Sequence, residues 1–215
     1  MRISETSEHL HLLATLNYYS RLRFITNLLS LIQDASVLRR VVTVGGGSQE
    51  GPLDATDFPA LRVPLSNLKG HLSSLITLGL ETVAKTAPEV SFVHDYPGTV
   101  RTPFLNYMPE EMLQNLVFVP VDESGERHLY LATSMRFPAL KDGNDGLLLR
   151  DGDELAVGTT GEIGSGMYSV GSDCESASPE VRYLLAGMRE KGMMDEIWKH
   201  TEAEFKCITG LGEGL

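Results

Sequence analysis

The sequence has few cysteines, few basic residues and no long apolar run, and each shortage argues against a class of protein. Two cysteines, Cys174 and Cys207, cannot form a cysteine-based metal cluster, and they favour a reducing compartment without a required disulfide. The 18 lysines and arginines are outnumbered by 29 aspartates and glutamates. The formal charge of −11 therefore argues against a nucleic-acid partner, because phosphate binding needs a basic face.

The sequence also lacks the usual signals for membranes, secretion and metal binding. No apolar stretch approaches the ~20 residues that span a bilayer, and "MRISETSEHL" contains no apolar signal-peptide segment. The six histidines are scattered without an i, i+4 pair, so we expect no metal site. With 42% hydrophobic residues, the composition predicts a soluble, cytoplasmic protein with a single domain over residues 1–215.

The first half of the chain alternates between helical and strand-like patterns. Apolar residues recur with helical spacing over residues 5–33 and again over 64–86. Two short β-branched runs, "LRRVVTV" (38–44) and "EVSFVHDY" (89–96), are bounded by glycine or proline and predict buried strands. This order of elements predicts an α/β fold with a parallel sheet flanked by long helices.

The second half is less regular. We expect a short helix over residues 110–116, a further helix over 126–137, a loop-rich segment over 138–163 and a strand over 164–170. Ser178 followed by Pro179 is typical of a helix start, with the serine as N-cap. The C-terminal helices should therefore cover residues 179–209, with a break at Gly192.

Three consecutive glycines, Gly45, Gly46 and Gly47, directly follow the first predicted strand. A dinucleotide-binding loop also follows a strand, but it leads straight into a helix whose N-terminus meets the pyrophosphate. Here Pro52, Pro59 and Pro64 intervene before a helix can begin. The glycines are therefore not expected to bind a phosphate.

Several residues resemble the short-chain dehydrogenase/reductase family, especially its fungal members. Asn17 in "LNYYSR" matches the asparagine on a long helix that supports that family's active site, and "RVVTV" matches the strand that delivers its catalytic serine. The turn "YPGTVRT" matches the family's nicotinamide-side turn, which implies cofactor contacts by Pro97, Gly98, Val100 and Thr102. The resemblance covers roughly residues 5–137 and implies a partial Rossmann-like sheet with NADP or NAD as cofactor.

Three departures from the family pattern are apparent. The resemblance starts at the family's fourth helix, so we expect an N-terminally truncated domain without the βαβ nucleotide-binding unit. Glycines occupy the position of the catalytic serine, with Ser48 about two residues beyond it, and no tyrosine lies between Gln49 and Asp95. The family's Tyr-x-x-x-Lys motif is therefore absent, although Lys69 lies on the matching helix, slightly out of register.

The candidate catalytic residues implied by this resemblance are Asn17, Ser48, Lys69 and Tyr18. In the family a tyrosine donates the proton to the substrate carbonyl, and its pKa is lowered by the lysine. Tyr18, Tyr19 and Tyr96 are the available replacements, although a packed structural tyrosine is the favoured interpretation for each.

Three functions remain open from the sequence. The first is an oxidoreductase that acts on a hydroxyl or ketone of a small metabolite, with secondary metabolites included in that class. The second is a cofactor-independent isomerase, cyclase or dehydratase on the same scaffold, with a pocket near Tyr18, Arg21 and Ser48. The third is a non-catalytic oligomer partner. In each case the resemblance and the open strand edge predict a homodimer formed through helices 5–33 and 64–86.

Overall fold

A three-stranded parallel sheet forms the centre of the computed structural model, which describes residues 5–107, 110–141, 146–149 and 151–210. Its strands lie in the order β1-β2-β5, with β1 at Arg40–Val44, β2 at Ser91–Asp95 and β5 at Met167–Val170. Val42 is paired with Val93, and Val93 with Tyr168. The predicted α/β fold with a parallel sheet flanked by helices is confirmed.

Seven α-helices and two short strands complete the regular structure of the described residues. The second sheet is small and parallel, and it pairs β3 at Thr99–Val100 with β4 at Phe118–Val119. A 3₁₀-helix covers Pro103–Tyr107, and a π-helical segment, Thr15–Tyr19, joins the first two α-helices. The α-helices are α1 Leu12–Ala14, α2 Ser20–Gln33, α3 Leu65–Thr86, α4 Glu110–Leu113, α5 Val121–Thr133, α6 Pro179–Glu190 and α7 Met193–Thr209.

Three predicted helices have different bounds in the structure, and the short one expected over 110–116 covers only Glu110–Leu113. The helix expected over residues 5–33 begins only at Leu12, because Glu5 pairs with His11 in an antiparallel bridge and the His11 side chain caps the helix. The helix expected over 126–137 covers Val121–Thr133 instead. It begins directly after Pro120, with two acidic residues in its first turn, and ends where Ser134 adopts an extended backbone.

The C-terminal helices follow the sequence signals closely. The Ser178 side chain accepts a hydrogen bond from the amide of Val181, and Pro179 is the first residue of α6. Gly192 has a φ of 74° and separates α6 from α7, as predicted. The described part of the loop-rich segment 138–163 contains no helix and no regular strand. Among the described helices, none has the length and apolar character needed to cross a membrane.

Each face of the sheet packs against different helices because successive strand residues point to opposite sides. Phe92 and Met167 belong to the larger core, together with α2, α3, α6 and α7. Val93 and Tyr168 belong to the smaller core on the other face, where they meet Leu131 of α5 and Phe137. The carboxyl ends of the strands are therefore flanked by α3 on one side and α5 on the other.

Candidate functional site

A cavity of about 300 Å³ lies between α1, α3 and the loop at the carboxyl end of β1. This loop contains Gly45, Gly46 and Gly47 and is called the glycine loop. Parallel α/β sheets bind their ligands at this edge. Its polar lining residues are Asn17, Lys69 and Ser73, and the glycine loop contributes Gly45 and Gly46. The remaining wall is aliphatic, formed by Leu13, Leu65, Leu68, Leu72 and Ile76. The cavity therefore combines a largely aliphatic wall with three polar side chains.

Asn17 reaches this cavity from the π-helical segment Thr15–Tyr19. Its Nδ2 atom donates to the carbonyl oxygen of Leu13 at 2.8 Å, which fixes the side chain against its own helix. A single turn of π-helix inside an α-helix is uncommon and is frequently found at functional sites. The structure thus brings two of the predicted site residues, Asn17 and Lys69, into one cavity.

Lys69 lies in the first turns of α3, between the cavity and the turn that follows β2. Its Nζ atom is 4.2 Å from the centre of the Tyr96 ring and 3.3 Å from Oε1 of Gln49. The aromatic face stabilises the ammonium by a cation–π interaction. Tyr96 directly precedes Pro97, so this contact connects the cavity with the predicted cofactor-binding turn.

The turn from Pro97 to Thr102 contains one position, Gly98, whose backbone conformation favours glycine. Gly98 has a φ of 77°, and a Cβ atom there would come within 2.9 Å of Val119 and 3.2 Å of Ser172. Thr99 and Val100 are held by parallel pairing with β4. The turn is thus a fixed structural element at the carboxyl end of β2.

The three glycines allow the loop to pack closely against its neighbours. A Cβ atom at Gly45 would lie 2.8 Å from Nε2 of His94, and one at Gly46 would overlap the Ser73 hydroxyl. At Gly47 it would overlap the carbonyl oxygen of His94 and lie 2.7 Å from that of Val170. The next helix begins only at Leu65, as expected for a loop that does not lead into a phosphate-binding helix.

Ser48 and Tyr18 are placed differently from Asn17 and Lys69. Ser48 has a φ of 61°, and its amide donates to Oγ of Ser169 at 2.7 Å. Tyr18 is buried, and its hydroxyl shares a 2.6 Å hydrogen bond with Thr201 of α7. Burial raises the pKa of this phenol. Neither side chain lines the 300 Å³ cavity, so the structure does not bring all four candidate catalytic residues together.

The remaining candidates near the strand ends have structural partners. Tyr19 pairs with His200 at 2.6 Å, and burial raises the pKa of its phenol. The Arg21 guanidinium donates to the carbonyl oxygen of Val44, and burial lowers the pKa of Arg21. Tyr19 therefore connects the π-helical segment to α7, and Arg21 connects α2 to the end of β1.

Sequence reasoning missed an acidic residue at the end of the central strand. Asp95 is buried, and its Oδ2 atom lies 3.2 Å from Nε2 of His128 on α5. Burial raises the pKa of Asp95 to about 6, although His128 and Arg21 act in the opposite direction. The only sequence signal was an acidic residue at the end of a predicted buried strand. Within the described residues no group of three or more His, Cys, Asp or Glu side chains could hold a metal ion.

Comparison with known proteins identifies relatives at moderate identity. Oxidoreductase AN1596 of Emericella nidulans is 37% identical over 93% of this chain. The NmrA-like family domain-containing oxidoreductase notO of an Aspergillus species is 32% identical over 97%, and the short-chain dehydrogenase/reductase SAT2 of Stachybotrys chartarum is 30% identical over 91%. The chain is similar to fungal oxidoreductases.

These similarities support the resemblance to short-chain dehydrogenases/reductases that the sequence motifs indicated. The chain spans 63%, 61% and 58% of the length of AN1596, notO and SAT2, respectively. No family model and no solved structure matches the chain.

Proposed function

We propose that this chain belongs to an oxidoreductase of the short-chain dehydrogenase/reductase type, which interconverts a ketone and a hydroxyl group with NADP or NAD. One observation carries the proposal: Asn17 and Lys69 line the same cavity at the carboxyl end of a parallel sheet. Similarity to proteins named oxidoreductases supports the reaction class.

The residues around the cavity suit the nicotinamide end of such a cofactor. Gly45 and Gly46 present backbone without side chains along the cavity wall, and Tyr96 leads directly into the Pro97–Thr102 turn. We assign cofactor contacts to Pro97, Gly98, Val100 and Thr102. When bound, the nucleotide supplies the hydride for the carbonyl carbon or accepts it from the alcohol.

Lys69 is the group best placed to act on the substrate oxygen. Reduction of a ketone places negative charge on its oxygen, and the Lys69 ammonium would donate a hydrogen bond and then a proton to that oxygen. The ring of Tyr96 and the amide of Gln49 hold the ammonium beside the cavity. Asn17 and Ser73 provide further polar groups that orient the substrate.

The lining of the cavity indicates the kind of substrate. Five aliphatic side chains form most of the wall, and three polar side chains, Asn17, Lys69 and Ser73, complete it. A substrate with an apolar carbon skeleton and one carbonyl or hydroxyl group matches this division. We therefore propose a small, largely apolar ketone or secondary alcohol.

A nucleotide titration followed by turnover measurements tests this function. We expect NADPH or NADH at millimolar concentration to raise the melting temperature, and the protein to oxidise the bound nucleotide with an apolar ketone. Lys69→Met should lower kcat about 10²- to 10³-fold, because it removes the donor to the substrate oxygen.

Tyr18→Phe is the matched control for Lys69→Met. It deletes a hydroxyl that points to Thr201, so kcat should remain close to that of the wild type. Failure of both nucleotides to raise the melting temperature contradicts the proposal and favours a cofactor-independent isomerase, cyclase or dehydratase, or a non-catalytic oligomer partner. A large loss of turnover in Tyr18→Phe would instead restore that residue as the proton donor.

A further inference from the structure

A buried carboxyl group lies directly beneath the glycine loop. The Glu50 side chain has no exposed surface. Its Oε1 atom accepts hydrogen bonds from Oγ1 of Thr77 on α3 at 2.7 Å and from Oγ of Ser169 on β5 at 2.6 Å. Three separate parts of the chain thus meet at one oxygen atom.

The first branch of this network leads to the Gly46 amide. That amide donates to Nε2 of His94 at 2.9 Å, so Nε2 carries no proton and the proton lies on Nδ1. Nδ1 then donates to Oγ1 of Thr77 at 2.9 Å, and Thr77 donates to Glu50. Burial lowers the pKa of His94 to about 3, in agreement with a neutral ring. All donors therefore point the same way, from the loop to the carboxyl group.

The second branch leads to the Ser48 amide. It donates to Oγ of Ser169 at 2.7 Å, and the Ser169 hydroxyl donates to Glu50. Ser48 has a φ of 61°, a conformation that non-glycine residues adopt only when their surroundings enforce it. This branch provides such an enforcing contact.

Stability alone does not account for a carboxyl group at this position. Glu81, another buried glutamate, is 2.8 Å from the guanidinium of Arg189, whereas Glu50 forms no ion pair with a lysine or arginine of the described residues and lies 3.9 Å from the neutral ring of His94. The Oε2 atom of Glu50 is buried without a hydrogen-bond partner in the described structure. Burial also raises the pKa of this carboxyl group. A buried carboxyl group without an ionic partner lowers the stability of the fold. Its two directed hydrogen bonds therefore indicate a role in positioning the groups that donate them.

We propose that Glu50 is a positioning residue, which acts through His94–Thr77 and through Ser169 to hold the glycine loop in the wall of the cavity. Gly45 and Gly46 line that cavity beside Lys69. The role of Glu50 in holding the loop does not depend on any catalytic activity. The consequence of that role for turnover rests on the proposed oxidoreductase function.

Hydrogen exchange of the two loop amides, measured by NMR, tests this proposal without any ligand. Glu50→Leu removes the shared acceptor, and we expect exchange at Gly46 and Ser48 to accelerate about tenfold or more. Glu50→Gln keeps an oxygen that can accept both hydroxyls, so it should restore slow exchange. Nitrogen-15 spectra of His94 should show the Nδ1–H tautomer in the wild type and in Glu50→Gln but a mixture of tautomers in Glu50→Leu.

Each of the two hydrogen-bond branches can also be removed by its own substitution. The proposal therefore remains testable if Glu50→Leu does not fold. Thr77→Val should accelerate exchange mainly at Gly46, and Ser169→Ala mainly at Ser48. Glu81→Leu is the matched control, because it removes a buried glutamate that pairs with Arg189 and shares no hydrogen bond with Glu50, although the charge of Glu81 raises the pKa of Glu50. It should lower the melting temperature while both loop amides stay protected.

Two results would overturn the positioning role: protected loop amides in Glu50→Leu, or equal loosening of the loop in Glu81→Leu. In turnover assays with an accepted ketone, Glu50→Leu should lower kcat about tenfold, and Glu50→Gln should restore it. If no nucleotide binds, the proposed function fails while the exchange data still decide the role of Glu50. If nucleotide binds and kcat is unchanged in Glu50→Leu, the loop's position does not matter for the reaction.

Discussion

Gly47 lies where a side chain would meet the backbone of two neighbouring strands. A Cβ atom there would overlap the carbonyl oxygen of His94 and crowd that of Val170. Backbone groups within a sheet cannot move aside as the end of a flexible side chain can. At the scale of the single residue, this glycine is required by packing.

We expect Gly47→Ala to lower the free energy of unfolding by about 2 to 3 kcal/mol, as overpacking does elsewhere. Gly125 is a suitable control, because it lies within α5 and a Cβ atom there would meet nothing within 4 Å. Gly125→Ala should raise the free energy of unfolding by about 0.5 to 1 kcal/mol through its better helix propensity. Urea denaturation measures both, and equal stability of Gly47→Ala and the wild type would contradict the packing argument.

Asp95 should make stability depend on pH. Its pKa is raised from 3.8 to about 6 in the folded state, so the folded protein binds the proton more tightly than the unfolded chain. The contribution of Asp95 is therefore most favourable below about pH 4 and is lost as the pH rises to 6. Relative to Asp95→Asn, the wild type should lose about 2 to 3 kcal/mol over this interval.

Thermal unfolding of wild type and Asp95→Asn between pH 4 and 7 checks this expectation. His128 lowers the pKa of Asp95, so His128→Gln should move the interval to higher pH. A constant stability difference between wild type and Asp95→Asn across the range would show that Asp95 does not titrate there.

At the scale of the element, the start of a helix depends on a few side chains in and just before its first turn. The Oγ atom of Ser178 lies 3.4 Å from the amide of Val181, and Glu180 adds negative charge in the first turn of α6. The same logic explains the beginning of α5, where Asp122 and Glu123 follow Pro120. These are local features, and they act within one turn of the helix.

Ser178→Ala should lower the free energy of unfolding by about 0.5 to 1 kcal/mol, since the long hydrogen bond places this cap at the weaker end of the usual range. Ser178→Asp keeps an acceptor and should retain the stability of the wild type. Chemical denaturation of the three proteins provides the comparison. A loss in Ser178→Asp as large as in Ser178→Ala would exclude a capping role.

At the scale of the whole molecule, one helical face remains uncovered. Leu16, Phe24 and Leu31 are 54%, 69% and 67% exposed and follow one another at near-helical spacing along α1 to α2. By contrast, α3 is buried over most of its length within the chain itself. We propose that a second copy of the chain covers the exposed face, because contiguous apolar patches commonly mark protein interfaces.

Sedimentation velocity over a range of concentrations tests this dimer. The double variant Phe24→Asp with Leu31→Asp should weaken self-association about tenfold or more, because two charges would be buried without partners. Leu129→Asp changes an equally exposed leucine on α5, so it should leave association unchanged. A wild-type protein that remains monomeric at every concentration would exclude the interface.

Some features of the candidate site were visible in the sequence. The motif resemblance pointed to Asn17 and Lys69, which line one cavity, and the predicted absence of a helix directly after the glycines is confirmed, since α3 begins only at Leu65. The hydrogen-bond partners that hold the glycine loop, and the partner of Tyr18, were not predictable from the sequence. Glu50 and Ser169 are separated by 119 positions, and Tyr18 and Thr201 by 183. No local periodicity contains such pairs.

The sequence by itself determined the alternation of strands and helices, the helix start at Ser178 and the break at Gly192, because these depend on residues within a few positions of one another. Only the tertiary structure decided the strand order β1-β2-β5, the π-helical turn at Asn17 and the burial of Tyr18 against α7. These features depend on which distant surfaces meet when the chain buries its apolar side chains, and buried polar groups must then find partners wherever the fold provides them.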